Sequence, residues 1–269
     1  MVVCSDSYIV TVEEYDGWID RLLENGFTEF RECPTYQSTT WLVSSKPAII
    51  RNVSKGAKYI WGVSSNQFDN PANIITTESW PIFKQAILDN AQWAQDHGVY
   101  EFQLGNEEEL HVDGTTMTVA QIITNLKSVA TEVQEIFTNG KVSYTCDANY
   151  ISDWIIAGKG DIDILASNVY MGGTTFNGGW KTLITNLVNA FGADGTSITE
   201  FGPSWTSLDD YSTDEAVQAE AITEMIEYIK ASGITRAFYF LWYHPDMHMG
   251  ILKDDGTYRL LWNSLLGSG

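Results

Sequence analysis

The chain alternates between short apolar runs and longer segments in which apolar residues recur every three or four positions. Short apolar runs bounded by turn residues are typical of buried strands, and the longer period is typical of amphipathic helices. In the first such helix, an apolar stripe from Tyr15 to Leu23 lies between Thr11, a predicted capping residue, and Gly26, a predicted stop. Another helix is predicted to open near Pro47, and Thr118 and Gln121 are predicted to cap a later one. The pattern therefore predicts alternating strands and helices from the start of the chain.

Eight strand–helix units fill the chain. The predicted strands are Val2–Cys4, Phe27–Arg31, Tyr59–Val63, Tyr100–Leu104, Val142–Cys146, Ile162–Val169, Ser197–Glu200 and Ala237–Trp242. Strict alternation favours a parallel sheet, and eight units favour its closure into a barrel, which typically needs about 250 residues. We predict an α/β protein in which residues 1–269 form a single (β/α)8 TIM barrel domain with parallel strands.

A doubly wound open sheet is the alternative architecture for the same alternation of elements. That fold would place a glycine-rich phosphate-binding turn after its first strand, and no such turn is present in the sequence. The sequence also shows no linker or low-complexity segment that would indicate a second domain.

The charge of the chain restricts its partners. With 15 Lys and Arg residues against 35 Asp and Glu residues, the formal net charge is −20. Such a surface repels phosphate backbones and anionic membranes, so nucleic-acid and membrane partners are excluded and a neutral ligand is favoured. Ten Trp and thirteen Tyr residues exceed what packing usually needs and indicate ring platforms for a flat ligand. We expect a monomer.

The sequence leaves the cellular compartment undetermined. It contains no apolar run long enough to cross a bilayer and no basic-then-apolar leader, and an extracellular location is the favoured alternative.

The cysteines and histidines predict no metal or cofactor site. His244 and His248 have the spacing of a helical metal pair, but Pro245 between them favours a loop. The sequence admits either one disulfide bridge, between Cys4 and Cys33, or reduced thiols at Cys4, Cys33 and Cys146.

Two carboxylates follow apolar strands at positions where barrel enzymes carry their chemistry. Glu107 comes after the run Leu104 to Asn106, and Glu200 ends the run that contains Ile198 and Thr199. Active sites of barrels lie at the carboxyl ends of the strands, and the fourth and seventh strands face each other across a barrel mouth. A pair of carboxyl groups at one bond is the requirement of glycoside hydrolysis.

The competing interpretation is that each Glu is a solvated loop residue. It applies to Glu107 in particular, because Glu108 and Glu109 follow it and acidic runs usually face water.

The two motifs resemble those of clan A glycoside hydrolases. They are Gly105-Asn106-Glu107 at the fourth strand and Ile198-Thr199-Glu200-Phe201-Gly202 at the seventh, and Trp242 ends the eighth. That clan includes family five cellulases and mannanases and many β-galactosidases and galactanases. The resemblance covers the whole chain in order, although each motif is short.

The resemblance implies a role for each of these residues. Glu107 would be the general acid and then the base, and Glu200 would be the nucleophile of a retaining mechanism. Asn106 would hydrogen-bond the 2-hydroxyl of the sugar. Arg31 would favour the charged form of Glu200, and Tyr170 would donate its hydroxyl to the same carboxylate.

Aromatic residues would complete the substrate site implied by the resemblance. Trp242 would form the apolar surface beneath the reacting sugar. Trp41, Trp180 and Trp205 lie where they could contact sugars in further subsites.

The sequence departs from the clan at two places, which leaves the sugar undetermined. Asn168 occupies the position of a His that many members carry two residues before the tyrosine. Ser64 and Ser65 stand near the end of the third strand, where many members carry another His.

We therefore predict a glycosidase active in polysaccharide degradation, specifically a retaining endo-β-1,4-glycanase on a neutral polysaccharide. The alternatives are an exo-β-glycosidase of galactosidase or glucosidase type and a catalytically silent carbohydrate-binding barrel.

Overall fold

The computed structural model describes residues 12–36, 39–65, 74–171, 179–203, 214–240, 250–253 and 255–267, and the side chains of 12–14, 39–44 and 203 are not described. Several predicted features therefore lie outside the described residues. They are the strand Val2–Cys4, the cap Thr11, the possible bridge of Cys4, the side chain of Trp41, and Trp205, Trp242, His244 and His248.

The described residues contain seven strands, each close to a predicted one. They are β1 (Glu29–Glu32), β2 (Lys58–Gly62), β3 (Glu101–Asn106), β4 (Lys141–Asp147), β5 (Ile164–Met171), β6 (Thr196–Pro203) and β7 (Ala237–Tyr239). They form one sheet in the order β1 to β7, and the pairings β2 with β3, β3 with β4 and β6 with β7 are parallel. This order has no reversal, so the doubly wound alternative is wrong. The predicted (β/α)8 class is confirmed.

The described residues also contain eight α-helices that alternate with the strands. They are α1 (Val12–Glu24), α2 (Thr39–Ser54), α3 (Trp80–Asp96), α4 (Val119–Ile136), α5 (Ile151–Ala157), α6 (Trp180–Phe191), α7 (Glu215–Ala231) and α8 (Leu261–Leu266). None of these helices is both long and apolar enough to span a bilayer.

The caps of the helices follow from local sequence in some cases and not in others. The capping box of Thr118 and Gln121 at the start of α4 is present as predicted. The prediction that a helix opens near Pro47 is wrong, because α2 begins at Thr39 and contains Pro47. Asp214 caps α7 by accepting hydrogen bonds from two backbone N–H groups of its first turn.

The chain divides into two compact units, of which one comprises Glu32–Ser167. Its strands are almost wholly buried, as expected for a parallel sheet covered by helices. The apolar stripe of α4 packs inward through Leu126, Val129 and Val133, which are fully buried.

The other unit comprises Met1–Arg31 and Asn168–Gly269. Phe201 of β6 and Tyr239 of β7 meet edge to face with their ring centroids 5.6 Å apart. The inner faces of α7 and α8 are buried at Ile222, Met225 and Leu261. That residues 1–269 form a single domain stays a prediction.

Candidate active site

Glu200 lies on β6 with one cation and one hydroxyl bound to its carboxylate. Nη1 of Arg31, from the end of β1, lies 2.8 Å from Oε1 of Glu200. The hydroxyl of Tyr170, from β5, donates a hydrogen bond to Oε2. The Arg31 side chain is 1% exposed and that of Glu200 is 12% exposed. A hydrogen bond between a guanidinium and a carboxylate is stronger than one between neutral groups, and these two contacts together fix the plane of the carboxylate.

The peptide that carries Glu200 is held by a buried hydrogen bond between neighbouring strands. Oγ1 of Thr199 donates to Oδ1 of Asn168 on β5 over 3.0 Å. Asn168 is 2% exposed and every residue of β5 is buried. The predicted site residue Asn168 therefore contacts the residue directly before Glu200.

The ring of Tyr170 is held from the side by an aromatic contact. Phe240, which follows β7, meets it edge to face with centroids 6.1 Å apart. The backbone N–H of Phe240 donates to the carbonyl of Phe201 over 2.9 Å, so the ring position is tied to β6. Arg31 and Tyr170, both predicted to contact Glu200, are thus in contact with it.

Glu107 follows β3 in a backbone conformation that is unusual for its residue type. Its φ is 59° and its ψ is 35°, and among the described residues it is the only non-glycine with a positive φ. A left-handed conformation costs a non-glycine residue roughly 1–2 kcal/mol, and such costs concentrate at functional sites. Its N–H donates to the Thr145 carbonyl over 2.8 Å, and its carbonyl accepts from the Leu110 N–H over 3.0 Å. Both Asn106 and Glu107 are half-buried.

The residues after Glu107 do not form the solvated acidic run that the competing interpretation requires. Glu108 is 0% exposed and Glu109 is 1% exposed. They belong to a short 3-10 helix, Glu108–His111, which turns both side chains inward.

The carboxylate of Glu108 binds backbone and hydroxyl groups at the ends of β2 and β3. It accepts hydrogen bonds from the N–H of Ser65 over 3.1 Å, from the Ser65 hydroxyl, and from the N–H of Asn106 over 3.0 Å. Gly105 leaves room for this carboxylate, since a Cβ at that position would lie 2.8 Å from Glu108 Oε1.

The carboxylate of Glu109 points toward β4 and α5. The indole N–H of Trp154 donates to its Oε1, and the ring of Tyr144 packs against that of Trp154 with centroids 4.9 Å apart. The N–H of Glu108 donates to the Tyr144 hydroxyl over 3.0 Å. Burial raises the pKa of both Glu108 and Glu109 to about 7, although hydrogen bonds to the two carboxyl groups offset part of this rise.

These pKa values predict that the protein loses stability as the pH rises toward neutrality. Between pH 4.5 and about 7 the folded protein keeps protons on Glu108 and Glu109 that the unfolded chain releases. The free energy of unfolding therefore falls across that range, by up to about 3 kcal/mol for each carboxyl. Urea unfolding of the wild type at pH 5, 6, 7 and 8 measures the slope, and Glu108→Gln should flatten it. A variant whose slope equals that of the wild type would contradict this assignment.

Sequence reasoning missed the residues that support Glu107. Ser65 follows β2, Tyr144 lies on β4 and Trp154 lies on α5, all far from residue 107 in the chain. Glu108 and Glu109 follow Gly105 and the end of β3 within a few residues, and the sequence carries no other local signal that they are buried.

One predicted sugar-binding residue is placed elsewhere. Trp180 is 4% exposed and packs edge to face against Tyr228, with centroids 5.3 Å apart. The prediction that it contacts sugars is therefore wrong, because the side chain belongs to the packing between α6 and α7.

The described part of the chain contains no group of three or more His, Cys, Asp or Glu side chains that could hold a metal ion. Cys33, at the end of β1, accepts a hydrogen bond from the side chain of Gln103 over 3.3 Å. Cys146 is buried on β4, where burial raises the pKa of its thiol.

Comparison with solved structures identifies glycosidases of the same fold. The exo-β-1,4-mannosidase Op5Man5 from Opitutaceae bacterium strain TAV5 superposes with a TM-score of 0.69 at 13% identity, over 99% of this chain and 58% of that one. This chain thus spans little more than half of that mannosidase. The catalytic domain of the major endoglucanase from Xanthomonas campestris pv. campestris gives a TM-score of 0.69 at 15% identity, over 98% and 92% of the two chains.

A GH113 β-1,4-mannanase gives a TM-score of 0.63 at 15% identity, over 95% of this chain and 92% of that one. No family model matches the sequence, and no curated protein matches it either. At these identities the likeness is one of fold. It confirms, at the level of the fold, the resemblance to barrel glycoside hydrolases drawn from the sequence.

Proposed function

We propose that the protein is a retaining glycoside hydrolase that cleaves β-glycosidic bonds by double displacement. The observation that carries this proposal is the Glu200 carboxylate, held between the buried guanidinium of Arg31 and the hydroxyl of Tyr170. A surface carboxylate needs neither partner, whereas a nucleophile must be charged and aimed. The neighbouring folds support the proposal, because their names are those of mannosidases, mannanases and endoglucanases.

In the first step an oxygen of Glu200 forms a bond to the anomeric carbon. The glycosidic C–O bond breaks, its electron pair passes to the leaving oxygen, and that oxygen takes the proton of Glu107. Arg31 and Tyr170 together hold the plane of the Glu200 carboxylate before attack. Asn106, beside Glu107, would bind the 2-hydroxyl of the sugar.

In the second step Glu107, now charged, removes a proton from water as the water attacks the same carbon. The ester bond to Glu200 breaks and its electron pair returns to the carboxylate. Each step inverts the anomeric centre, so the overall reaction retains its configuration. Trp242 and Trp205 would contact the sugar rings, and both lie outside the described residues.

The proposed substrate is a neutral β-1,4-linked polysaccharide cut internally. The formal charge of −20 disfavours polyanionic glycans, and two of the three neighbours compared are an endoglucanase and a mannanase. The mannosidase neighbour carries the name of an exo-enzyme, which supports an exo-β-glycosidase as the second candidate. A carbohydrate-binding barrel without activity has no need of a paired and oriented Glu200.

A substrate screen of the purified protein tests the proposal. We expect reducing ends to appear on cellulose or mannan together with a rapid fall in viscosity, because internal cuts shorten chains early. Xylan and galactan serve as comparison polymers, and 4-nitrophenyl β-monosaccharides test exo action. Hydrolysis of the monosaccharides alone would favour the exo-glycosidase, and binding without hydrolysis of any substrate would favour the silent barrel.

A further inference from the structure

Glu108 and Glu109 are two consecutive buried carboxylates that the proposed mechanism does not use. In the described part of the chain, neither forms a salt bridge with Lys, Arg or His. Burial of a carboxylate without a cation costs stability, and an apolar pair of similar size would avoid that cost. Their contacts must therefore supply something that apolar side chains cannot.

The Glu108 carboxylate, together with Thr145 and Tyr144, fixes the backbone on both sides of Glu107. Three successive N–H groups are bound: that of Asn106 by the Glu108 carboxylate, that of Glu107 by the Thr145 carbonyl, and that of Glu108 by the Tyr144 hydroxyl. A left-handed residue persists only where its surroundings determine its backbone fully. The three bonds hold Glu107 at φ 59° and so set the direction of its Cα–Cβ bond.

The two carboxylates anchor this turn to different neighbours of β3. Glu108 binds Ser65, which follows β2, whereas Glu109 binds Trp154 of α5 next to Tyr144 of β4. Because β3 lies between β2 and β4 in the sheet, the turn is held from both sides.

We propose that Glu108 is a positioning residue for the acid/base carboxyl of Glu107, with Glu109 anchoring the same turn from the side of β4. This inference rests on the proposed function, in which Glu107 protonates the leaving oxygen. A general acid acts only within hydrogen-bond reach of that oxygen, and a displacement of about 1 Å can cost about 10²-fold in rate. Above its pKa of about 7, Glu108 accepts hydrogen bonds through both carboxylate oxygens. A Gln at position 108 cannot accept through both ends of its amide, so the turn loosens when the variants are compared at pH 8.

The experiment compares kcat/KM, which reports the first chemical step, on phenyl and 2,4-dinitrophenyl β-cellobioside, or on the mannobiosides if the screen selects mannan. The phenyl leaving group needs a proton and the dinitrophenyl group does not. We expect Glu108→Gln to lower kcat/KM about 10–100-fold on the phenyl substrate and less than about threefold on the other. Glu107→Gln should show the same selectivity, more strongly.

Two further variants separate positioning from a general loss of stability. Glu101→Gln removes another buried carboxyl, at the opposite end of β3, and should leave the ratio of the two substrates unchanged. The double variant Glu107→Gln with Glu108→Gln should show the same ratio as Glu107→Gln alone, because a residue that acts through Glu107 has no effect without it. If Glu108 had a structural role independent of Glu107, its substitution would lower kcat/KM further than Glu107→Gln alone.

The outcomes are distinct for the inference and for the function. If Glu107→Gln shifts the substrate ratio and Glu108→Gln does not, the positioning role is wrong and the proposed function stands. If Glu107→Gln does not shift the ratio, the acid/base assignment fails and the inference fails with it. Ser65→Ala removes one hydroxyl donor to Glu108 and covers the case in which Glu108→Gln does not fold. It should shift the ratio about 3–10-fold in the same direction, and an unchanged ratio there overturns the role of Glu108.

Discussion

Glu200→Ala should abolish hydrolysis, with turnover reduced on the order of 10⁴–10⁶-fold on every β-glycoside that the wild type cleaves. The loss follows from the absence of the atom that forms the glycosyl-enzyme, which neither Arg31 nor Tyr170 can replace. Stopped assays with 2,4-dinitrophenyl β-cellobioside measure it, because this substrate does not depend on proton donation and therefore isolates the nucleophile.

Sodium azide or formate should restore part of the activity of Glu200→Ala. The small anion enters the space of the removed carboxylate, is attracted by the guanidinium of Arg31, and attacks from the face that Glu200 uses. Because a single displacement then replaces two, azide should yield the α-glycosyl azide from a β-linked substrate. The anomeric proton of this product identifies it by NMR.

Glu200→Gln is the matched control for the rescue. Its amide is no nucleophile, so turnover should fall as far as in the Ala variant, but it fills the space and should not respond to azide. Near-wild-type activity in Glu200→Ala would disprove the assignment, as would equal azide responses of the two variants.

The same substitution is expected to lower the stability of the fold. Removal of one partner from a buried ion pair costs about 3–5 kcal/mol, and because Arg31 has further contacts we expect a loss below that range. Formate should recover part of the lost unfolding free energy by binding at Arg31. Activity losses should therefore be compared at a temperature where circular dichroism shows that the variant is folded.

Local signals in the sequence were sufficient to predict the fold class. The strands of this chain are rich in apolar residues because both of their faces are buried, as the burial of every residue of β5 shows. The Thr118–Gln121 capping box indicates where α4 begins, and the spacing of its apolar residues indicates which face is buried. Such signals depend on neighbours in the chain, which is why they are readable without a structure. The start of α2 was misplaced because Pro47, normally a first-turn residue, lies inside the helix.

The environment of each side chain was much less accessible to sequence reasoning. Glu108 and Glu109 belong to a run of three Glu that looks solvated, yet the donors that allow their burial are Ser65 and Trp154, which are 43 and 45 residues away. Donors at that separation become neighbours only through the parallel packing of β2, β3 and β4.

The number of tryptophans is a poor guide to sugar-binding rings for a related reason. A surplus of Trp indicates large rings but not which side of a helix or strand they occupy. Trp61 and Trp154 are fully buried, and Trp262 is 8% exposed. Much of the surplus is therefore packing, and sugar platforms have to be sought among the remaining tryptophans. By contrast, the contacts of Arg31 and Tyr170 with Glu200 were implied by the family resemblance, since no local pattern links residues on three different strands.

The stereochemistry of the first product tests the pair of carboxylates as a whole. In retaining enzymes the two carboxyls lie about 5–5.5 Å apart, which leaves no space for a water between nucleophile and sugar. If Glu107 and Glu200 act in this way, a β-linked substrate should give the β-anomer as the only first product. An inverting enzyme, with carboxyls roughly 6.5–9.5 Å apart, would give the α-anomer.

Proton NMR of the anomeric signals in the first minutes of hydrolysis distinguishes the two before mutarotation mixes them. The expected result is an all-or-none difference, which does not depend on the identity of the sugar or on how fast the enzyme works. An initial α-anomer would mean that water attacks directly and that Glu200 serves as a base. The contact of its carboxylate with Arg31 would then orient a base rather than a nucleophile, and no glycosyl-enzyme would form.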